Sequence, residues 1–109
     1  VAQQFYKTSD AMTARQVTLT SGIGSLYPGS QIDDYLFSPC GYSMNGLTMG
    51  GFYTIHITPE AHCSYVSFET NIASSDYVAL VEHVLFKPKV MVVGAFHAVA
   101  FLCYFLFQL

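Results

Sequence analysis

The chain has 109 residues and a mass of 12.0 kDa, room for one ordinary domain. Hydrophobic residues make up 52% of it and charged residues 10%, against roughly 25% charged in an average domain, which excludes an intrinsically disordered chain. Four Lys and Arg against seven Asp and Glu leave a formal charge of −3. So few cations neutralise few phosphates, and no nucleic acid is expected as a partner. The mean hydropathy of +0.40 is high for a small soluble protein. A chain of this size buries only roughly 65% of its unfolded surface, so apolar surface is left over for a partner or a membrane.

Along the chain, residues 1–33 are polar and mixed. There is no apolar signal-peptide stretch in residues 1–12, and the start at Val1 hints at a processed chain or a fragment. Thr13 to Val17 can form one or two helical turns, ended by Thr20, Ser21, Gly22 and Gly24, and Tyr27-Pro28-Gly29-Ser30 reads as a turn. Asp34 to Phe37 and the stretch from Tyr42 to Leu47 read as strand, interrupted at Pro39 and Gly41. Met49-Gly50-Gly51 signals a hairpin.

Phe52 to Thr58 is the clearest strand. Its alternation sends Tyr53, Ile55 and Ile57 one way and Phe52, Thr54, His56 and Thr58 the other. Tyr65 to Thr70 repeats the pattern, with Tyr65, Ser67 and Glu69 on one face and Val66, Phe68 and Thr70 on the other. These strands at short intervals predict an antiparallel meander. Residues 74–86 read as a helix, with Tyr77, Leu80, Val81, Val84 and Leu85 in one stripe and Lys87-Pro88 ending it. Val90 to Phe96 starts β-branched and predicts a further strand. The fold class expected is α+β, an antiparallel sheet with flanking helices.

The last twenty residues, Val90 to Leu109, contain no Asp, Glu, Lys or Arg. As a helix they would span about 30 Å, the thickness of a bilayer core, and Lys87 and Lys89 stand just before them. Read by themselves, they fit a membrane anchor, a buried segment or a divergent end.

Few residues invite chemistry. His56 lies mid-strand between threonines, where an imidazole can take and return a proton near neutral pH. Ser43 becomes interesting if His56 lies across from it, and the turn at Gly50-Gly51 makes their strands neighbours. Glu69 is an acid in an otherwise apolar strand and needs a donor or an upward pKa shift. Phe37 can be core or a stacking platform, and Cys40 sits in the bent segment Pro39-Cys40-Gly41. Cys40, Cys63 and Cys103 are an odd count without regular spacing, so neither a disulfide framework nor a zinc site is expected. His62 and Cys63 lack a second matching pair, and no metal is assigned. Reduced thiols fit a cytoplasmic protein.

Three runs in order carry a resemblance: Phe37-Ser38-Pro39-Cys40-Gly41-Tyr42-Ser43-Met44-Asn45-Gly46, then Tyr53-Thr54-Ile55-His56-Ile57-Thr58-Pro59-Glu60, then Ser64-Tyr65-Val66-Ser67-Phe68-Glu69-Thr70-Asn71. With Gln4-Phe5-Tyr6, Ser21-Gly22-Ile23 and Pro28-Gly29-Ser30 upstream, they resemble the eukaryotic S-adenosylmethionine decarboxylases over roughly residues 3–89.

The resemblance implies a segment of the α chain of a four-layer α/β/β/α sandwich with its site between two antiparallel sheets. It implies pyruvoyl-dependent decarboxylation of S-adenosylmethionine for spermidine and spermine synthesis. In that family a proenzyme cuts itself at a Glu-Ser bond. The serine becomes the pyruvoyl group, which forms a Schiff base with the substrate and acts as electron sink. Carried over by position, Ser43 and His56 match the residues of self-processing, Glu60 the ribose-binding glutamate and Phe37 an adenine-stacking ring. Glu69 matches an acid of the putrescine network, and Cys40 a cysteine near the site.

This chain contains no Glu-Ser dipeptide. The pyruvoyl serine, the β chain and the rest of the α chain are therefore expected as partners, the isolated chain is expected to be inactive, and residues 90–109 are expected to be a divergent apolar tail. The full enzyme is expected to bind S-adenosylmethionine, to admit putrescine in some members and to form a homodimer. A truncated, catalytically dead regulatory partner is the alternative, and membrane attachment is not favoured.

Overall fold

The computed structural model describes residues 5–59, 64–72, 90–96 and 99–106. The expected helix over residues 74–86 falls outside them, as do Glu60, His62 and Cys63. A helix, α1 (Ala14–Thr20), and a 3-10 turn (Ile23–Ser25) precede β1 (Gln31–Leu36), β2 (Tyr42–Thr48), β3 (Gly51–Thr58), β4 (Ser64–Thr70), β5 (Val90–Phe96) and β6 (Val99–Leu106). The strands form one six-stranded antiparallel sheet in the order β1-β2-β3-β4-β6-β5. The α+β expectation stands, and the sheet and one helical layer are the layers seen among the described residues.

Local chemistry explains the elements. Thr13 caps α1 by accepting a hydrogen bond from the Gln16 backbone N–H, and the Gln16 side chain accepts from the Thr13 N–H. This reciprocal capping box satisfies two donors that a helix start would leave orphaned. The interruption expected at Pro39 and Gly41 is a chain reversal. β1 begins earlier than read, at Gln31, and the chain turns through a cis Ser38–Pro39 bond and through Gly41 at φ +115° into β2. Gly50, at φ +85°, turns β2 into β3.

Val90 to Phe96 forms the expected strand. Beyond it, Val99–Leu106 is strand rather than helix: it forms β6, which lies between β4 and β5. Branched and aromatic residues such as Val99, Phe101, Tyr104 and Phe105 favour a pleated strand with neighbours on both sides. Among the described residues, no helix is long and apolar enough to cross a membrane.

The pleat divides the first four strands into two faces. Leu36, Tyr42, Met44, Tyr53, Ile55, Ile57, Val66 and Phe68 are buried on the inner face and pack with Phe5, Val17, Ile23 and Leu26. Gly46 is needed there because the Tyr53 ring lies across it, and an added Cβ would run into that ring.

The same face holds a polar knot under α1. Thr18 is fully buried, and its single hydroxyl proton lies between Asp34 Oδ2 at 2.6 Å and the Ala14 carbonyl at 3.1 Å. The shorter contact to a charged acceptor is the stronger, which leaves the Tyr42 hydroxyl to donate to Thr18 at 2.5 Å. Arg15 adds its charge 3.6 Å from Asp34 Oδ2 and donates from Nη2 to the Ile32 carbonyl at 3.0 Å. These bonds pin the short helix to β1 and β2.

Burial pushes the Tyr42 phenol up from 10.0 to about 12, and the Asp34 charge adds to the shift. A folded-state pKa above the unfolded one means that the folded state holds the proton longer. Stability is therefore complete below pH 10 and falls as pH rises toward 12, by roughly 2–3 kcal/mol. Urea unfolding of Tyr42→Phe should show a shallower loss of stability across this window than the unmodified chain.

Candidate functional site

The face of the sheet opposite the core carries polar and ionisable side chains. Because β2 and β3 pair with Ser43 opposite His56, both residues point away from buried neighbours: Tyr42 and Met44 flank the serine, Ile55 and Ile57 the histidine. Ser43 Oγ lies 2.9 Å from His56 Nδ1. The hydroxyl donates to a neutral Nδ1, or accepts from it in the other tautomer or in the protonated ring. His56 is exposed and Ser43 half-buried, so a ligand can reach the pair from the open side.

The row continues on both sides, because Tyr35 is the register partner of Ser43 and Ser67 that of His56. Ser67 is buried at the centre of the sheet. A second row runs beside the first, through Asp33, Asn45, Thr54 and Glu69. Within it, Thr54 Oγ1 donates to Asn45 Oδ1 at 2.9 Å. Glu69 is half-buried opposite Thr54, and no cation forms an ion pair with it among the described residues. A cleft of about 150 Å³ opens beside Ser43, lined also by Asp33, Asp34, Tyr35, Met44 and Asn45.

Phe37 follows β1 directly. Its N–H donates to the Gly41 carbonyl at 2.8 Å, and its ring leans over Gly41. The ring is half-exposed and meets that of Tyr35 at a centroid distance of 4.6 Å and an angle of 56°. Cys40 is a free, half-buried thiol in the reversal between β1 and β2, where it forms an isolated bridge with Tyr6. It is held by backbone pairing, and no hydrogen bond links it to the serine–histidine pair. Glu60 lies outside the described residues. No cluster of three or more His, Cys, Asp or Glu able to hold a metal occurs among the described residues.

The structure thus pairs Ser43 with His56 and sets Glu69 on the same face of the sheet, with Phe37 just beyond the end of β1. It adds Tyr35, Asn45, Thr54 and Ser67, which the sequence reading did not single out. Period-two alternation marks Asn45 with Ser43, and Thr54 with His56, so that signal was available. Tyr35 becomes visible only with the register of β1 against β2.

The two-face arrangement has a direct consequence for stability. Ser43→Ala and His56→Ala touch no core packing, and each should change the unfolding free energy by less than about 1 kcal/mol. Met44→Ala, one position from the serine but 1% exposed on the inner face, should cost about 2–5 kcal/mol. Chemical denaturation of the three variants measures the contrast.

Comparison with known proteins gives a consistent set of relatives. The family described as adenosylmethionine decarboxylase matches residues 1–101, continuing past Lys89. The chain is similar to the S-adenosylmethionine decarboxylase proenzyme of Dictyostelium discoideum, 57% identical over 90 residues that cover 81% of this chain and 24% of the relative. It is 52% identical to the Xenopus laevis proenzyme over 99 residues, covering 88% of this chain and 29% of that one. It is 52% identical to the Drosophila melanogaster proenzyme over 95 residues, 84% of this chain and 27% of that one. The chain therefore spans about a quarter of the length of the curated relatives it matches. Among solved structures, a Trypanosoma brucei AdoMetDC-delta26 monomer aligns with a TM-score of 0.46 and 15% identity, over 99% of this chain and 60% of that one.

Proposed function

The chain belongs to the adenosylmethionine decarboxylase family, and from that premise we propose that it supplies one sheet of the substrate and self-processing site of a pyruvoyl-dependent S-adenosylmethionine decarboxylase. The observation that carries this reading is the 2.9 Å contact between Ser43 Oγ and His56 Nδ1 on the face turned away from the core.

The roles follow from the chemistry of each group. His56 takes the Ser43 proton at Nδ1 and returns it, a transfer for which an imidazole is suited near neutral pH. Ser43 places its hydroxyl beside the reacting carbonyl. Phe37 offers a half-exposed ring face to the adenine. Glu60 takes the ribose hydroxyls, because a carboxylate accepts from both members of a vicinal diol. Glu69 sits one row away, where its carboxylate faces a diamine such as putrescine.

The pyruvoyl group comes from a serine outside this chain, in the missing β-chain and α-chain remainder. The residues present suit such a carbonyl-bearing group. A hydroxyl and an imidazole stand together on an accessible face, and the cation of Arg15 is turned to Asp34 on the opposite side. When bound, that group supplies the electron sink for loss of carbon dioxide. This chain's own part is to bind, to orient and to move the proton between Ser43 Oγ and His56 Nδ1. The second antiparallel sheet of the expected α/β/β/α sandwich, and a cytoplasmic homodimer of the complete enzyme, belong to the same reading.

The test is a graft. The part of this chain that matches the Dictyostelium proenzyme replaces the corresponding segment of that protein, to which it is 57% identical. The graft should cleave itself and release carbon dioxide from carboxyl-labelled S-adenosylmethionine. Ser43→Ala and His56→Ala should each block cleavage while leaving the graft folded, and the 109-residue chain alone should release none. Normal cleavage in both variants would overturn the assigned roles.

A further inference from the structure

We propose that, within the self-processing reading on which this rests, Asp34 is a positioning residue for Ser43. It draws the Thr18 hydroxyl out of its own helix and so clamps α1, β1 and β2 at the spacing that keeps Ser43 Oγ beside His56 Nδ1.

The Thr18 hydroxyl has two acceptors within reach. The Ala14 carbonyl lies at 3.1 Å inside α1, and Asp34 Oδ2 lies at 2.6 Å on β1. The single proton goes to the charged carboxylate; without it the hydroxyl closes back on its own helix. Asp34 thus decides whether Thr18 bonds within the helix or ties the helix to the sheet. The Asp34 side chain is only 11% exposed, although it lies on the face away from the serine and histidine. Desolvating a carboxylate there is costly, and an apolar residue of similar size would serve packing better. What the carboxylate adds is direction: Tyr42 donates to Thr18, Thr18 donates to Asp34, and Arg15 sets its charge 3.6 Å from the same oxygen.

The knot reaches the open face through the backbone. Tyr42 immediately precedes Ser43 on β2, and Asp34 immediately precedes Tyr35, the register partner of Ser43 on β1. Among the described residues β1 is an edge strand, paired with β2 alone, so α1 supplies its second hold. The Ser43–His56 contact is 2.9 Å and stops being a hydrogen bond beyond about 3.5 Å, so a shift of roughly half an ångström in β2 breaks it. Once Thr18 turns back to Ala14, α1 keeps its packing through Val17 but no longer joins β1 to β2, and the edge pair is free to twist.

Two readouts test this: self-cleavage of the graft, and the imidazole nitrogen signals of His56 in the NMR spectrum of the 109-residue chain. Asp34→Ala and Thr18→Val should each slow cleavage about ten-fold or more, because misplacing a reacting group by a fraction of an ångström to 1 Å costs that much. Asp34→Asn and Thr18→Ser, which keep the acceptor and the hydroxyl, should cleave close to the unmodified rate. Val17→Ala weakens the packing of the same helix without touching the knot, and should lower stability while leaving the rate nearly unchanged. Thr18→Val should also move the His56 Nδ1 signal toward its position in Ser43→Ala, and Val17→Ala should not. Where Thr18→Val fails to fold, Tyr42→Phe takes its place, since it removes one hydroxyl and keeps the ring. An unslowed graft or an unmoved His56 signal in that variant overturns the positioning role, and cleavage by the unmodified graft then leaves the proposed function standing. A signal that moves as expected, with an unmodified graft that never cleaves, supports the positioning of the serine and removes the self-processing reading.

Discussion

The antiparallel register of β2 against β3 is the constraint on which the other features depend. Side chains of a strand alternate with a period of two, so a slip of one residue sends every one of them to the opposite face. In the observed register Met44 lies opposite Ile55 and Tyr42 opposite Ile57, all on the buried side, while Ser43 meets His56 on the other. A slip of β2 by one residue would turn Ser43 and Asn45 into the apolar layer and expose Tyr42 and Met44. Burying an unpaired polar group costs about 1–3 kcal/mol, and exposing a large apolar side chain forfeits a similar amount. The 2.9 Å contact on the open face is thus held by the packing of residues that never touch it.

The polar knot on the inner face extends this control to β1. A helix of seven residues is too short to be stable by itself, so α1 depends on its attachments. Val17 supplies apolar contact, and Thr18 supplies direction, because its hydroxyl joins Asp34 of β1 to Tyr42 of β2. Asp34 and Tyr42 are separated by a chain reversal, and a shared partner holds their strands at fixed spacing. Tyr42 then precedes Ser43, and Asp34 precedes Tyr35. Each polar bond beneath the sheet is one residue from a group above it.

Much of this was legible in the residues because alternation is a strong signal in short strands. The two faces of β3 and β4 follow from Tyr53, Ile55 and Ile57 against Thr54, His56 and Thr58, and from Val66 and Phe68 against Ser67 and Glu69. The pairing of Ser43 with His56 was conditional on the hairpin at Gly50-Gly51, which the backbone adopts. What was not legible depended on long-range partners. Asp34 reads as one strand residue among several until Thr18, sixteen positions away, bonds to it. The apolar run from Val99 to Leu106 carries no period that separates a helix from a buried strand, and pairing with β4 and β5 decides the matter. Tyr35 and Phe37 were separable as core or surface only once the reversal at Pro39 turned the chain.

The composition of the open face bears on how another layer can lie over it. A dry interface between two sheets is built from apolar side chains on every second residue. Here the central strands present Ser43, Asn45, Thr54, His56, Ser67 and Glu69, and the large exposed apolar groups Tyr35, Phe37 and Leu47 lie toward the β1 side. Covering unpaired polar groups would be costly, yet two pairs are already satisfied within the face, Ser43 with His56 and Thr54 with Asn45. The desolvation penalty of the middle is therefore reduced before anything binds. Apolar side chains at one margin can take up contact with a covering layer while the polar centre keeps its own hydrogen bonds. An arrangement of this kind lets a sheet be both half of a packed interface and the wall of a polar pocket, because attachment and chemistry draw on different residues of the same face.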